Sequence, residues 1–145
     1  MAWFYFALGA SILWGLSYVL SQIVLKDFDI VEFSLFKAGF TFLVLLIYFM
    51  IYGDKKHFFN KLFLVKPLFY ITLSGVVYIV ATLLILKSIT VSNASVAAAI
   101  ESSYPIFTIF FVYIFLNEYQ LNFMQLIGCL LIISGIIMIK FYTGR

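Results

Sequence analysis

The chain has 145 residues, of which 66% are apolar and only 10% are charged, and its formal net charge is +3. Soluble domains contain roughly 45–50% apolar and about 25% charged residues, so this composition excludes a soluble domain. It also excludes a disordered protein, which lacks the apolar surface that drives folding. The composition predicts a polytopic membrane protein with room for five or six helices of about 20 residues each.

Catalytic and metal-binding signatures are missing from the sequence. The chain has one cysteine, Cys129, and one histidine, His57, so no intramolecular disulfide or paired zinc ligands can form. No serine-hydrolase elbow, phosphate loop or paired nucleophile and base is present. The basic residues are scattered at helix ends, which is typical of membrane anchoring. The sequence therefore predicts no enzyme, no cofactor, no metal site and no nucleic-acid partner.

Five apolar runs follow one another along the chain, each long enough for a tilted helix across a hydrocarbon core of about 30 Å. They lack the ten-residue alternating pattern of membrane β-barrel strands. The predicted fold is an all-α integral membrane protein with five transmembrane helices in one domain, residues 1–145. The predicted helices cover residues 2–25, 31–52, 67–87, 93–116 and 121–142.

The connectors between these runs contain helix-start signals. Asp27 and Asp29 precede the second helix, where acidic residues interact favourably with the helix dipole. The turn formed by residues 90–93 offers hydroxyl or amide caps for the fourth helix. The lysine-rich connector, residues 53–66, fits either an amphipathic segment on the membrane surface or a solvated loop.

Five helices place the two termini on opposite sides of the membrane. The side of the N-terminus receives four basic residues: Lys55, Lys56, Lys61 and Lys66. The other side also receives four, Lys26, Lys87, Lys140 and Arg145, and Lys37, deeper in the second helix, would raise this count to five. An imbalance of Lys and Arg normally orients a membrane protein. This balance fits either one orientation set by the clustered lysines or dual topology, in which the chain inserts both ways.

Glu101 is the outlier of the apolar runs, because an ionisable side chain inside a membrane is costly and is a functional hypothesis by default. Helical spacing places it on one face with Ala94, Ala98, Pro105 and Thr108. Pro105 has no N–H for the Glu101 carbonyl, which predicts a helix kink beside the carboxyl. The pattern favours a proton or cation site. The alternative is a protonated carboxyl that Ser or Tyr satisfies across a helix interface.

A polar seam runs along the first helix, where Ser11, Gly15, Tyr18 and Gln22 share one face with Trp14 beside it. Polar side chains must turn away from lipid, so this seam is expected inside the bundle. Trp14 lies at mid-helix, away from the interfacial belt where tryptophans usually lie. It fits either a substrate cavity or plain bundle packing.

Two more helices contribute candidate residues. Tyr78 lies on a similar seam of the third helix. Lys37, one or two turns into the second helix, either snorkels to the membrane surface or faces the bundle, where it attracts an anionic group. Small residues allow helices to approach closely. The predicted helix-packing glycines are Gly15, Gly128 and Gly135.

Several motifs occur in a specific order. Leu13-Trp14-Gly15 lies in the first helix, and a basic residue, Lys37, follows early in the second helix. Later motifs are Leu86–Ile89, Ala97–Ala99, Pro105–Phe107, Phe115–Glu118, Gln125–Gly128 and Leu131–Gly135. In order and spacing this set resembles the EamA-type domain of the drug/metabolite transporter superfamily, with Lys37 in place of the usual Arg.

The resemblance implies a carrier of small metabolites, amino acids or drug-like solutes. It also implies that the five helices form one half, or repeat unit, of an inverted-repeat transporter, whose site lies between repeats. With the balanced charge, it predicts an antiparallel homodimer in the plasma (inner) membrane. This dimer would work by alternating access with proton exchange at Glu101. The predicted cavity is lined by Trp14, Tyr18, Gln22, Lys37, Tyr78 and Glu101. The alternative is a non-transporting membrane subunit or one half of a heterodimeric transporter.

Overall fold

The computed structural model describes residues 2–54, 58, 64–118 and 123–143, and the regular secondary structure among them is all α-helical. The helices are α1 (Ala2–Val24), α2 (Ile30–Tyr52), α3 (Val65–Val91), α4 (Ala94–Glu101), α5 (Tyr104–Leu116) and α6 (Phe123–Thr143). The predicted all-α membrane fold is confirmed, with α4 and α5 together in place of the predicted fourth helix. Most of the lysine-rich connector lies outside the described residues.

Four stretches of the described chain are long and apolar enough to cross a membrane. They are Phe4–Val24, Ile30–Tyr52, Val65–Val91 and Ala94–Leu116, and Phe123–Ile139 is a shorter apolar helix. Most of the large apolar side chains of these helices are exposed on the protein surface. Water would make that exposure unfavourable by about 25 cal/mol per Å² of apolar surface. Lipid tails are as apolar as leucine and cover these side chains without that penalty.

Hydroxyl side chains inside the spans donate hydrogen bonds to their own helix. Thr41 Oγ1 donates to the Lys37 carbonyl oxygen at 2.8 Å. Thr72 Oγ1 likewise donates to the Leu68 carbonyl oxygen at 2.9 Å. An unsatisfied hydroxyl is costly in hydrocarbon, and these bonds to the preceding turn satisfy it locally. Small polar residues of this kind therefore require no partner on another helix.

Helices α2 and α4 begin at side-chain caps, as the residues before them predict. The Asp29 carboxylate accepts from the Val31 N–H at 3.0 Å, and the Glu32 side chain accepts from the Asp29 N–H at 3.1 Å. This reciprocal pair is a capping box. The Asn93 side chain accepts from the Val96 N–H at 2.9 Å and caps α4. The caps satisfy backbone donors at the points where these spans begin.

The chain divides into two compact units. One comprises Met1–Leu20 and Val91–Arg145, and the other comprises Ser21–Thr90. We refer to them as the first and the second unit. The organisation of residues 1–145 as one domain stays a prediction.

Few side chains are buried in either unit. In the first unit α4 contacts α6, and Ala94 and Ala97 of α4 are buried, Ala97 with 1% of its surface exposed. Alanine side chains of this size let helix backbones approach closely. In the second unit Ser21, Leu86 and Ile89 are buried.

The glycines predicted to pack helices face open space within the described chain. A Cβ atom built at Gly15, Gly128 or Gly135 meets no described atom within 4 Å outside its own helix backbone and its chain neighbours. The described residues therefore supply no close neighbour at these positions, and their packing role stays a prediction.

The capping box of α2 gives a prediction on stability. Asp29→Ala should lower the free energy of unfolding by about 0.5–2 kcal/mol, because the backbone donors of the first turn lose their acceptor. Unfolding of the purified protein in mixed detergent micelles measures this change. Asp27→Ala is the matched control, since it removes the same charge two residues earlier without touching the cap. If the two variants lose the same free energy of unfolding, the effect comes from the lost charge and not from the cap.

Candidate functional site

The predicted fourth helix is interrupted directly after Glu101. Helix α4 ends at Glu101, Ser102 and Ser103 form a turn, and α5 begins at Tyr104. Pro105, in the first turn of α5, has no N–H to donate to the Glu101 carbonyl, so the hydrogen-bond ladder cannot continue through this point. The break places the C-terminal end of one helix and the N-terminal end of the next at the residue that carries the carboxyl.

Backbone hydrogen bonds of the turn close the end of α4. The Ser102 N–H donates to the Ala98 carbonyl oxygen at 3.0 Å, and the Ser103 N–H donates to the Ile100 carbonyl oxygen at 3.1 Å. The Ser102 hydroxyl also donates to the Ala98 carbonyl oxygen, at 2.9 Å. These bonds satisfy carbonyls that the break would otherwise leave exposed to hydrocarbon. The interruption is thus a closed turn within the span.

The Glu101 carboxyl is joined to α1 by a hydrogen bond. The Tyr18 hydroxyl donates to Oε2 of Glu101, and both side chains are half-buried. Because the residues are 83 positions apart in sequence and belong to the same unit, the bond ties the first span to the end of α4. A phenol donates more strongly to a carboxylate than to a neutral acid, so the strength of this tie depends on the protonation of Glu101.

Two aromatic side chains, Trp14 and Tyr104, lie near Tyr18. The ring centroids of Trp14 and Tyr18 lie 6.1 Å apart with an interplanar angle of 31°. Tyr104, the first residue of α5 after the break, lies near Tyr18. Aromatic faces attract cations, and the phenols also offer hydrogen bonds. The arrangement can exchange a proton or hold a polar or cationic group of a solute.

The other predicted site residues lie in the second unit. Gln22 is half-buried and lies one turn beyond Tyr18 on α1, and Tyr78 is exposed on α3. The Lys37 Nζ atom lies 5.7 Å from the centroid of the Phe33 ring, one turn nearer the start of α2. This direction is the one expected of a lysine that snorkels toward the membrane surface. The roles predicted for these three residues in a cavity stay predictions.

The sequence patterns do not indicate a cavity of about 850 Å³ along α5 and α6 in the first unit. Its lining runs from Tyr104 and Pro105 at the start of α5 to Glu118 and Phe123 at the other end. Most lining residues are apolar, and in sequence they look like ordinary lipid-facing positions. Only the placement of two helices side by side reveals the space between them.

Metal ligands do not cluster in the part of the chain that the structure describes. No group of three or more His, Cys, Asp or Glu side chains there is placed to hold a metal ion. The chemical capacity of the site therefore rests on the carboxyl of Glu101, its phenolic donor and the nearby aromatic rings.

Long apolar helices, locally satisfied hydroxyls and a carboxyl at a helix break are the features of a multi-pass membrane protein with a few polar groups inside its spans. The chain matches the family model of the EamA-like transporter family over residues 1–141. It therefore belongs to this family of membrane transporters, within the drug/metabolite transporter superfamily. The resemblance predicted from the motifs is confirmed. No curated protein and no solved structure matches the chain.

The bond between Tyr18 and Glu101 gives a prediction for a double-mutant cycle. Tyr18→Phe, Glu101→Gln and the double variant should show a coupling energy of about 0.5–1.7 kcal/mol, the range for hydrogen bonds between membrane helices. Unfolding in mixed micelles provides the four free energies.

Tyr5→Phe is the matched control for this cycle. It removes the same hydroxyl from α1 about 20 Å away along the helix axis, at an exposed position. Its cycle with Glu101→Gln should be additive. A Tyr18 coupling no larger than that of Tyr5 would show that the bond contributes nothing to stability.

Proposed function

We propose that the chain transports small organic solutes across the plasma membrane and that Glu101 is its proton-exchanging group. The solutes are metabolites, amino acids or drug-like molecules. Membership of a transporter family supports the activity. The observation that carries the site is the hydrogen bond from Tyr18 to Glu101 at the helix break. An ionisable group inside a span, held by a donor from another span, is the kind of group that proton relays use.

Solute and proton compete for the same carboxyl in this mechanism. A charged Glu101 is a strong acceptor and holds the Tyr18 hydroxyl or a donor group of the solute. A proton on Glu101 removes the charge, weakens both interactions and releases the solute. Because Tyr18 belongs to α1 and Glu101 ends α4, each exchange of partner alters the tie between two spans. A ligand that favours one state of this tie shifts the population of conformations, as alternating access requires.

The helix break supports this assignment. Substrate sites of inverted-repeat transporters typically lie at discontinuous helices, whose half-helix ends offer partial charges. The C-terminal end of α4 is partly negative and favours a cation or proton, whereas the N-terminal end of α5 is partly positive and favours a carboxylate. Glu101 stands between these two ends, so both of its protonation states have a favourable partner nearby.

The second repeat in this proposal is a second copy of the chain inserted in the opposite orientation. Sites of this class lie between two repeats related by an axis in the membrane plane. The number of basic residues differs by at most one between the two sides of the predicted topology, and so small an imbalance gives little preference for one orientation.

Glu101→Gln should abolish proton movement coupled to solute. Purified protein is reconstituted in liposomes with an internal pH-sensitive dye, and amino acids, nucleosides and organic amines are added in turn. A solute that moves protons in the wild type should move none in Glu101→Gln. Tyr18→Phe should strengthen apparent solute affinity roughly 2- to 20-fold, because the solute then displaces no hydroxyl from Glu101 and the displaced bond is worth about 0.5–1.7 kcal/mol.

Glu32→Gln is the matched control for this measurement. It makes the same substitution in the capping box of α2, where Gln also serves as the acceptor, and its proton movement should equal that of the wild type. Proton-coupled flux that survives in Glu101→Gln would contradict the assigned role. A wild type that moves no solute under any gradient would favour the non-transporting subunit.

If the chain has dual topology, the connectors before and after α2 should both be labelled from one side of the membrane. In a Cys129→Ser background, Asp27→Cys and Asp54→Cys each place a single thiol at an exposed position. Asp27 precedes α2 and Asp54 follows it, so the two thiols lie at opposite ends of this span. Acidic residues contribute little to orientation, so these substitutions should leave it unchanged. A membrane-impermeant maleimide applied to intact cells should label about half of each variant if the two orientations are equally frequent. Full labelling of one variant and none of the other would establish a single orientation.

A further inference from the structure

The cavity between α5 and α6 is a second feature that the transport mechanism does not use. Its volume of about 850 Å³ lies within the range of roughly 300–1,000 Å³ that small-molecule sites occupy. The walls are mainly aliphatic and aromatic, including Pro105, Phe110, Leu126 and Leu130. Phe110 and Leu130 remain 57% and 56% exposed, so an occupant can reach them from outside the chain.

Glu118 gives one end of this cavity a negative charge. It lines the cavity just beyond the end of α5. It is also the only charged residue in the sequence between Tyr104 and Ile139, so this segment carries a net negative charge. The C-terminal carbonyls of α5 add a partial negative charge at the same end, where a cation is favoured.

The cavity has the polarity of a lipid lying in a bilayer. The span Ala94–Leu116 ends two residues before Glu118, so the membrane boundary is expected close to Glu118. The apolar walls extend from there along α5 toward Pro105. A lipid places its headgroup at that boundary and its hydrocarbon chain at greater depth.

We propose that this cavity binds a membrane lipid whose headgroup carries an ammonium ion. The ammonium interacts with Glu118 and the C-terminal end of α5, and the hydrocarbon chain lies along the apolar walls. An anionic headgroup is disfavoured by like-charge repulsion at the same place. The end of the cavity at the start of α5 is lined by Tyr104, which lies near Tyr18. Lipid in the cavity therefore borders the proton-exchange site without being part of it.

Tryptophan quenching at two adjacent positions tests the proposal. Phe110 lines the cavity and Phe111, the next residue, does not belong to the lining, although their exposures of 57% and 52% are similar. Phe110→Trp and Phe111→Trp are reconstituted separately with phosphatidylethanolamine and phosphatidylglycerol, one of which carries brominated chains. Emission of the wild type, which has two tryptophans, is subtracted. The two reporters lie about 1.5 Å apart in depth.

Brominated phosphatidylethanolamine should quench Phe110→Trp about two- to fivefold more strongly than brominated phosphatidylglycerol, the factor for one partly exposed ion pair. The two lipids should quench Phe111→Trp equally. Adding Glu118→Gln to Phe110→Trp should remove the preference, because the carboxylate that selects the ammonium is gone.

Equal quenching of Phe110→Trp by both lipids would overturn the proposal. It would also be overturned if neither lipid quenches Phe110→Trp while both quench Phe111→Trp, because protein, for example a second copy of the chain, then fills the cavity. Leu130→Trp and Leu131→Trp form a second matched pair on α6, since Leu130 lines the cavity and Leu131 does not belong to the lining. This pair gives the same readout if Phe110→Trp fails to fold.

Discussion

Hydrocarbon offers no hydrogen bonds, and polar groups inside the described spans must therefore find partners within the protein. Backbone groups are satisfied within helices, and hydroxyls such as those of Thr41 and Thr72 return to their own preceding turn. The apolar side chains need no protein core, because lipid covers them. A polar group that requires a partner from elsewhere in the chain is then the exception. Glu101 is such a group, and its partner comes from a different span.

The helix break and the Tyr18–Glu101 bond belong together physically. Pro105 ends the hydrogen-bond ladder, the turn at Ser102 and Ser103 closes the end of α4, and the carboxyl stands at that end. In a continuous helix the carboxyl would lie at a mid-helix position, without helix ends beside it. The break adds the partial charges of two helix ends, and the bond adds a donor whose interaction strength follows the protonation of the acid. The proposed mechanism uses both features, the helix ends and the bond, at the same carboxyl.

The sequence predicted the parts of the fold that depend on local chemistry. Apolar runs indicated the spans, the acidic residues before α2 and the turn of residues 90–93 indicated where helices begin, and the motifs around Trp14 and Pro105 indicated the family. Local patterns carry this information because helix formation, capping and partition into lipid depend on near neighbours in the chain. The break itself was predicted as a kink at Pro105, and the structure shows two separate helices there.

Composition alone determined that the chain belongs in a membrane, and spacing placed Glu101 and Tyr18 on the seams of their respective helices. Only the tertiary structure decided that these two side chains meet, across 83 residues of sequence. It also decided that α5 and α6 leave a cavity with Glu118 at its end. The reason is that helical periodicity defines which face a residue occupies, whereas the packing of helices decides what that face contacts.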